Sequence, residues 1–142
     1  MSTAWTHFRL ERRSSAYWRV TCSHPPINTI TATTVTELSQ LIDVIERDAQ
    51  LNVVVFNSAN PDFFLAHYDI EQNPAKTAAL AAGPTGMPAW LDFTVRLSRA
   101  PVVSIASIRG RARGAGSEFV LACDLRFASR ENAVLKRRNR SD

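Results

Sequence analysis

Pro101-Val-Val-Ser-Ile-Ala-Ser-Ile-Arg-Gly-Arg-Ala-Arg-Gly-Ala-Gly-Ser-Glu-Phe-Val-Leu-Ala-Cys-Asp-Leu-Arg-Phe-Ala128 is the stretch on which the reading of this chain turns. Its apolar run, residues 102–108, predicts a buried strand bounded by Pro101 and Gly110. A loop with glycines at Gly110, Gly114 and Gly116 follows, and then a short apolar helix starting near Ser117. A strand–loop–helix of this kind leaves backbone N–H groups unpaired at the helix N-terminus. It also puts one carboxylate, Glu118, in the first helical turn. Such a place can hold a negative oxygen and move a proton beside it.

Each of these residues has a plainer reading. Glu118 can simply oppose the helix dipole, a contribution of about 0.3–1 kcal/mol. Gly114 and Gly116 can be ordinary turn glycines. Cys123 reads as a small buried hydrophobe.

Outward from this stretch the chain alternates strands and helices, an α/β pattern. Residues 17–22 alternate apolar and polar as a half-buried strand does, and Pro25-Pro26 stops them. Thr34-Val-Thr-Glu37 has the form of a capping box, with Val35, Leu38, Leu41, Ile42 and Ile45 following at helical spacing, so the pattern predicts a helix over 35–48. Residues 53–56 form a short apolar strand and Asn60-Pro-Asp62 a turn. Residues 71–89 change to Ala, Gly, Pro and Thr, the composition of a mobile loop or weak helix. A helix over 90–99 ends before Pro101.

With 142 residues and 45% hydrophobic content, the chain amounts to one domain. Cys22 and Cys123 sit in apolar surroundings without partner-like spacing, which suits a reduced interior. No signal peptide and no bilayer-length apolar run is visible, so the expectation is a cytoplasmic protein without membrane attachment. Residues 1–95 carry a formal net charge of −3 and residues 96–142 one of +7. The densest basic cluster, Lys136-Arg-Arg-Asn-Arg140, follows the last apolar residue, Leu135. The domain expectation is therefore a core over 1–135, with 71–89 as its mobile loop, and a basic disordered tail over 136–142. A nucleic-acid arm is the lesser reading of that tail, because no aromatic side chains are interleaved with its charges.

Two segments together resemble the enoyl-CoA hydratase/isomerase (crotonase) family. Val53-Val-Val-Phe-Asn-Ser-Ala59 followed by Phe63-Phe-Leu-Ala-His-Tyr-Asp-Ile70 is similar to the family's first signature. Residues 101–129 are similar to its second, and 18–30, with Pro25-Pro-Ile-Asn28, to its opening strand and turn. Order and spacing agree over roughly residues 15–135. The resemblance implies a spiral of β-β-α units that binds an acyl-CoA thioester, with no cofactor besides coenzyme A as part of the substrate and no metal. It implies that the backbone N–H groups of Tyr68 and Ala115 form an oxyanion hole and that Glu118 is the first catalytic glutamate. Ala66, His67, Tyr68, Asp69, Ile70, Glu71 and Ala115 then line the acyl-CoA. Beside this, Asp69 also reads as a helix cap, His67 as a packing or hydrogen-bonding residue, and His24 as a weak candidate for a phosphate contact.

Three positions depart from the family pattern. Ala115 stands where glycine is usual, and Tyr68 where a small residue is usual. After Leu135 the chain runs into Lys-Arg-Arg-Asn-Arg-Ser-Asp, where the family places a second catalytic glutamate and then the helices of its trimer or hexamer. The expectation is a partial spiral without its C-terminal half, a truncated copy with weak or no hydratase or isomerase activity. The alternative is a non-catalytic fragment that binds acyl-CoA or a partner protein.

Overall fold

A computed structural model describes residues 5–136. Two strands open the chain, β1 (Phe8–Arg12) and β2 (Tyr17–Cys22), joined as an antiparallel hairpin. Helix α1 (Ala32–Arg47) follows, then β3 (Val53–Ser58) and β4 (Phe63–Leu65). Short α2 (Pro74–Ala78) and longer α3 (Ala89–Arg99) come next. After them the chain runs through β5 (Val103–Ile108), β6 (Arg111–Arg113), α4 (Ala115–Ala122), β7 (Leu125–Ala128) and β8 (Val134–Lys136).

The first three strands lie in one sheet, and from β3 onward successive strands alternate between two sheets. The larger has the order β1-β2-β3-β5-β7 and the smaller β4-β6-β8. From β2 onward every pairing is parallel. Each pass of the chain adds one strand to each sheet, which makes a spiral. The resemblance implied this β-β-α repeat, while the residue pattern by itself showed alternating strands and helices. Strands β4, β6 and β8 did not show in it, because three-residue strands carry no usable periodicity, and the five-residue β1 and four-residue β7 were not read as strands either.

Among the described residues, helices cover one face of the larger sheet. Val20, Val54, Phe56, Ala106 and Ile108 point into the core with Leu38, Leu41, Ile42, Phe93, Leu97 and Phe119. On the other face Val103 is exposed, so the apolar run at 102–108 is a half-buried strand and not a fully buried one. The run looked fully buried because Val103 and Ile105 are apolar on the side that no helix covers.

The start of α1 also differs from the expectation. Thr31 is the N-cap: its hydroxyl accepts from Thr34 N (3.3 Å), while Thr34 Oγ1 accepts from Thr31 N (3.0 Å). The capping box therefore lies one turn earlier than Thr34–Glu37. Glu37 instead turns its buried carboxylate to the entry of β1, accepting from His7 N (2.9 Å) and from Thr6 N and Oγ1. Helix α4 likewise begins at Ala115, two residues before the expected start.

One charged network locks α1 to α3. Arg96, on α3, donates to Glu46 through Nε (2.9 Å) and Nη2 (2.8 Å), to Asp43 through Nη2 (2.6 Å), and to Asp92 through Nη1 (3.2 Å). The hydrogen bonds that Arg96 donates to Glu46 raise the guanidinium pKa further, against the opposing effect of burial. Burial pushes the Asp92 carboxyl upward. Hydrogen bonds from Thr85 N and Oγ1 and from Arg96 outweigh it and hold the group below its ordinary value.

His7 supplies a pH response. Its ring stacks on His24 at 3.7 Å and its Nδ1 pairs with Thr34 Oγ1 at 2.7 Å. Burial, then the neighbouring His24, lower its pKa below 6.5, with Glu37 pulling the other way. The unfolded chain thus binds this proton more readily than the folded one, so stability falls as pH drops below 6.5. Denaturant midpoints measured between neutral and mildly acidic pH should show this decline, and His7→Gln should flatten it.

Candidate active site

The end of β4 is held by a loop that carries two hydrogen-bonding edges. Ala66 N donates to Asn28 O (3.0 Å), Ile30 N to His67 O (3.1 Å), and Asp69 N to Ile30 O (2.9 Å). Ile30 and Tyr68 form a parallel bridge, which leaves the Tyr68 amide on the far side of the strand. Among the described residues that amide has no acceptor. Its phenol bonds Thr77 Oγ1 on α2 at 2.6 Å, which is how the bulky residue is accommodated where a small one is usual.

Asn28 makes this arrangement possible. It sits in the left-handed region (φ 57°), directly after the cis Pro25-Pro26 turn, and is fully buried. Its amide nitrogen donates to Ser58 Oγ (2.8 Å) and Phe64 O (3.0 Å), while its Oδ1 accepts from His24 N (2.8 Å). Asparagine tolerates positive φ better than most residues and here meets its polar needs internally.

The second turn comes from β6 and α4. Gly114 has φ 53° and ψ −121°, a conformation that side-chain-bearing residues rarely adopt, and it is the N-cap of α4. Ala115 is therefore an ordinary first helical residue, and its amide, like that of Tyr68, has no acceptor among the described residues. The strain that alanine would suffer at a positive φ falls on Gly114 instead. Gly116 packs on the end of β4: a Cβ there would collide with the Leu65 carbonyl and lie 2.7 Å from its carbon. Gly114 lies against His67, where an added Cβ would be 3.3 Å from the His67 Cβ. Both glycines thus bring the 65–68 and 114–116 turns together, beyond any role as turn formers.

Glu118 lies in the first turn of α4, three residues past Ala115, and is exposed. Its Oε2 accepts from Trp90 Nε1 at 2.9 Å. Trp90 is set by α3, whose Phe93 stacks on Phe119 of α4 at 5.7 Å. Nothing in the sequence pointed to Trp90, since a tryptophan inside an apolar helix carries no sign of a polar partner.

The remaining expected residues spread along the rim. Ala66 is buried, whereas His67, Ile70 and Glu71 are exposed. Asp69 Oδ1 accepts from Glu71 N (2.9 Å), so Asp69 closes a local turn, and Asn73 caps α2. His24 Nδ1 is engaged with Thr29 O at 2.9 Å. Burial pushes the Cys22 and Cys123 thiols up to about 12, which makes them inert core groups. Two clefts, of about 290 and 490 Å³, lie along Arg19, Asn57, Asn60 and Arg109 and include none of the turn residues 66–71 or 114–118. Among the described residues no helix is long and apolar enough to cross a membrane, and no group of three His, Cys, Asp or Glu side chains could hold a metal. Lys136 ends β8, and the rest of the expected tail lies outside the described residues.

Known proteins share this fold. A Streptomyces avermitilis protein assigned as an enoyl-CoA hydratase superposes with a TM-score of 0.84 at 40% identity, covering 96% of this chain and 49% of its own. Pseudomonas aeruginosa DspI superposes at 0.78 with 31% identity, covering 94% of this chain and 55% of its own. By sequence, human mitochondrial methylglutaconyl-CoA hydratase is 31% identical over 72% of this chain and 30% of its own length. The fatty acid oxidation complex subunit alpha of Aliivibrio fischeri is 30% identical over 91% of this chain and 18% of its own. The chain thus spans about half of these solved structures, and its two-sheet spiral is a partial crotonase fold. The family model for enoyl-CoA hydratase/isomerase matches residues 12–138, and the chain belongs to that family.

Proposed function

We propose that this chain binds an acyl-CoA thioester and polarises its carbonyl between the amides of Tyr68 and Ala115. The observation that carries the reading is that two amides without acceptors among the described residues stand on turns packed against each other, with a carboxylate one helical turn along. Adding water to an enoyl thioester, or removing its α-proton, moves negative charge onto the thioester oxygen. Fixed backbone donors stabilise that charge without reorganising, and each is worth about 2.7–4 kcal/mol of barrier. Glu118 is the group that moves the proton, held by the Trp90 indole. His67, Asp69, Ile70 and Glu71 flank the CoA. The reading asks for no metal or prosthetic group, since coenzyme A enters as part of the substrate.

Turnover by this chain is weak in this reading. The segment after Leu135, where the family resemblance places a second glutamate, reads Lys-Arg-Arg-Asn-Arg-Ser-Asp, and Glu118 is exposed where a proton-transfer group needs a dry pocket. The same observation favours binding without catalysis as the second reading.

Hydration of a short trans-2-enoyl-CoA, followed beside calorimetric binding of the saturated acyl-CoA, tests both. The expected result is saturable binding with slow hydration that Glu118→Gln abolishes. Turnover matching a full-length family member would overturn the weak-activity reading, and absence of binding would overturn the site itself.

A further inference from the structure

We propose that a cleft on the helix-free face of the larger sheet binds a small oxyanion that carries its own hydroxyl, of which hydrogen phosphate is the simplest. The cleft holds about 290 Å³, and Tyr17, Arg19, Asn57, Ser107 and Arg109 reach into it. Its walls come from β2, β3 and β5, which are interior strands of that sheet, and from the corners that follow β3 and β5. No residue of its lining lies on β7 or beyond it.

Strand register assembles these groups. Arg19 lies beside Val55, and Val55 beside Ile105. One two-residue step further along these parallel strands, Asn57 and Ser107 come side by side on the same face. Arg109, another two residues on, stands at the corner where the chain leaves β5 for β6. Two guanidiniums thus share one cleft whose described lining contains no carboxylate. Glu11, paired with Arg19 across β1 and β2, keeps its Oε2 3.8 Å from Arg19 Nη1, outside hydrogen-bond reach. Glu131 lines only an adjoining cleft. Arg109 is exposed, with no hydrogen bond or ion pair among the described residues, and the Ser107 hydroxyl and Tyr17 phenol have no partner there either. Ser58 and Asn60 are spent internally, donating to Phe63 O (2.6 Å) and Pro26 O (2.9 Å), so they serve as wall.

Asn57 narrows the chemistry of the ligand. Its Oδ1 is buried and accepts no hydrogen bond among the described residues. A buried acceptor left unpaired costs stability until a donor reaches it. The guanidiniums and the Ser107 hydroxyl, by contrast, ask for acceptors, and the arginine fork suits the oxygens of a tetrahedral anion. A ligand that meets all of them presents negative oxygens to Arg19 and Arg109 and donates an O–H to Asn57. Hydrogen phosphate does both at neutral pH. Sulfate has the same shape and charge but no proton to give.

Calorimetric titration of the full chain with inorganic phosphate, at fixed ionic strength so that screening is constant, should show saturable binding. Sulfate should bind about tenfold more weakly, for want of the proton that Asn57 accepts. Arg109→Gln, at an exposed position without partners, should weaken phosphate binding about tenfold, whereas Arg47→Gln, exposed on α1 outside the cleft, should leave it unchanged. Asn57→Ala should erase the preference for phosphate over sulfate, with far-UV circular dichroism confirming that each variant folds. In ¹H–¹⁵N spectra phosphate should move the Asn57 side-chain amide and the Ser107 backbone amide and leave those of Tyr68 and Ala115 in place. Absence of saturable phosphate binding, equal affinity for sulfate, or an Arg47→Gln effect as large as that of Arg109→Gln would overturn the proposal. So would phosphate shifts confined to Tyr68 and Ala115.

Discussion

Arg96→Met should lower the unfolding free energy by about 3–4 kcal/mol, the loss typical when one member of a buried ion pair is removed. Asp43 and Glu46 are part-exposed and rehydrate once the guanidinium is gone. Asp92 is 1% exposed and cannot rehydrate. It would keep its hydrogen bonds from Thr85, but its charge would stand alone in the core. Adding Asp92→Asn to Arg96→Met removes that charge and should recover part of the loss. Chemical denaturation of both single variants and the double variant beside the parent checks this. A double variant as unstable as the sum of its single variants would mean that the two side chains are not coupled.

Gly116→Ala should cost about 3 kcal/mol or more, at the upper end for overpacking, because the added methyl meets backbone and not a movable side chain. The Leu65 carbonyl can yield only if α4 withdraws from β4, which separates the turn bearing Ala115 from the one bearing Tyr68. Stability and acyl-CoA binding should therefore fall together. Leu121→Ala, on an exposed position of the same helix, should leave both nearly unchanged. Thermal unfolding and ligand titration of the two variants give the comparison, and a Gly116→Ala chain as stable as the parent would remove the packing argument.

These residues also show where the sequence could be read and where it could not. Helix α1 was legible from Val35, Leu38, Leu41, Ile42 and Ile45, because a buried stripe imposes its period on the sequence. Its first turn was not, because Thr31 and Thr34 offer equivalent hydroxyls and only the bridge at Ile30 decides which one caps. Gly114, Gly116 and Glu118 could be placed on one strand–loop–helix from the sequence alone. That Gly116 is needed for contact with β4 depends on a residue 51 positions earlier, a relation no local pattern carries. Trp90 and Arg96 are of the same kind. Each sits in a recognisable helix, but its polar partner lies 28 or about 50 positions away.

The central claim is that the Tyr68 and Ala115 amides together hold a thioester oxygen. Amide ¹H–¹⁵N shifts of the labelled chain, titrated with a saturated short-chain acyl-CoA and separately with free coenzyme A, test it most directly. The account predicts that both amide protons move downfield together and saturably with the thioester, and that free coenzyme A leaves them in place. Saturable thioester binding that leaves either amide unmoved would contradict it.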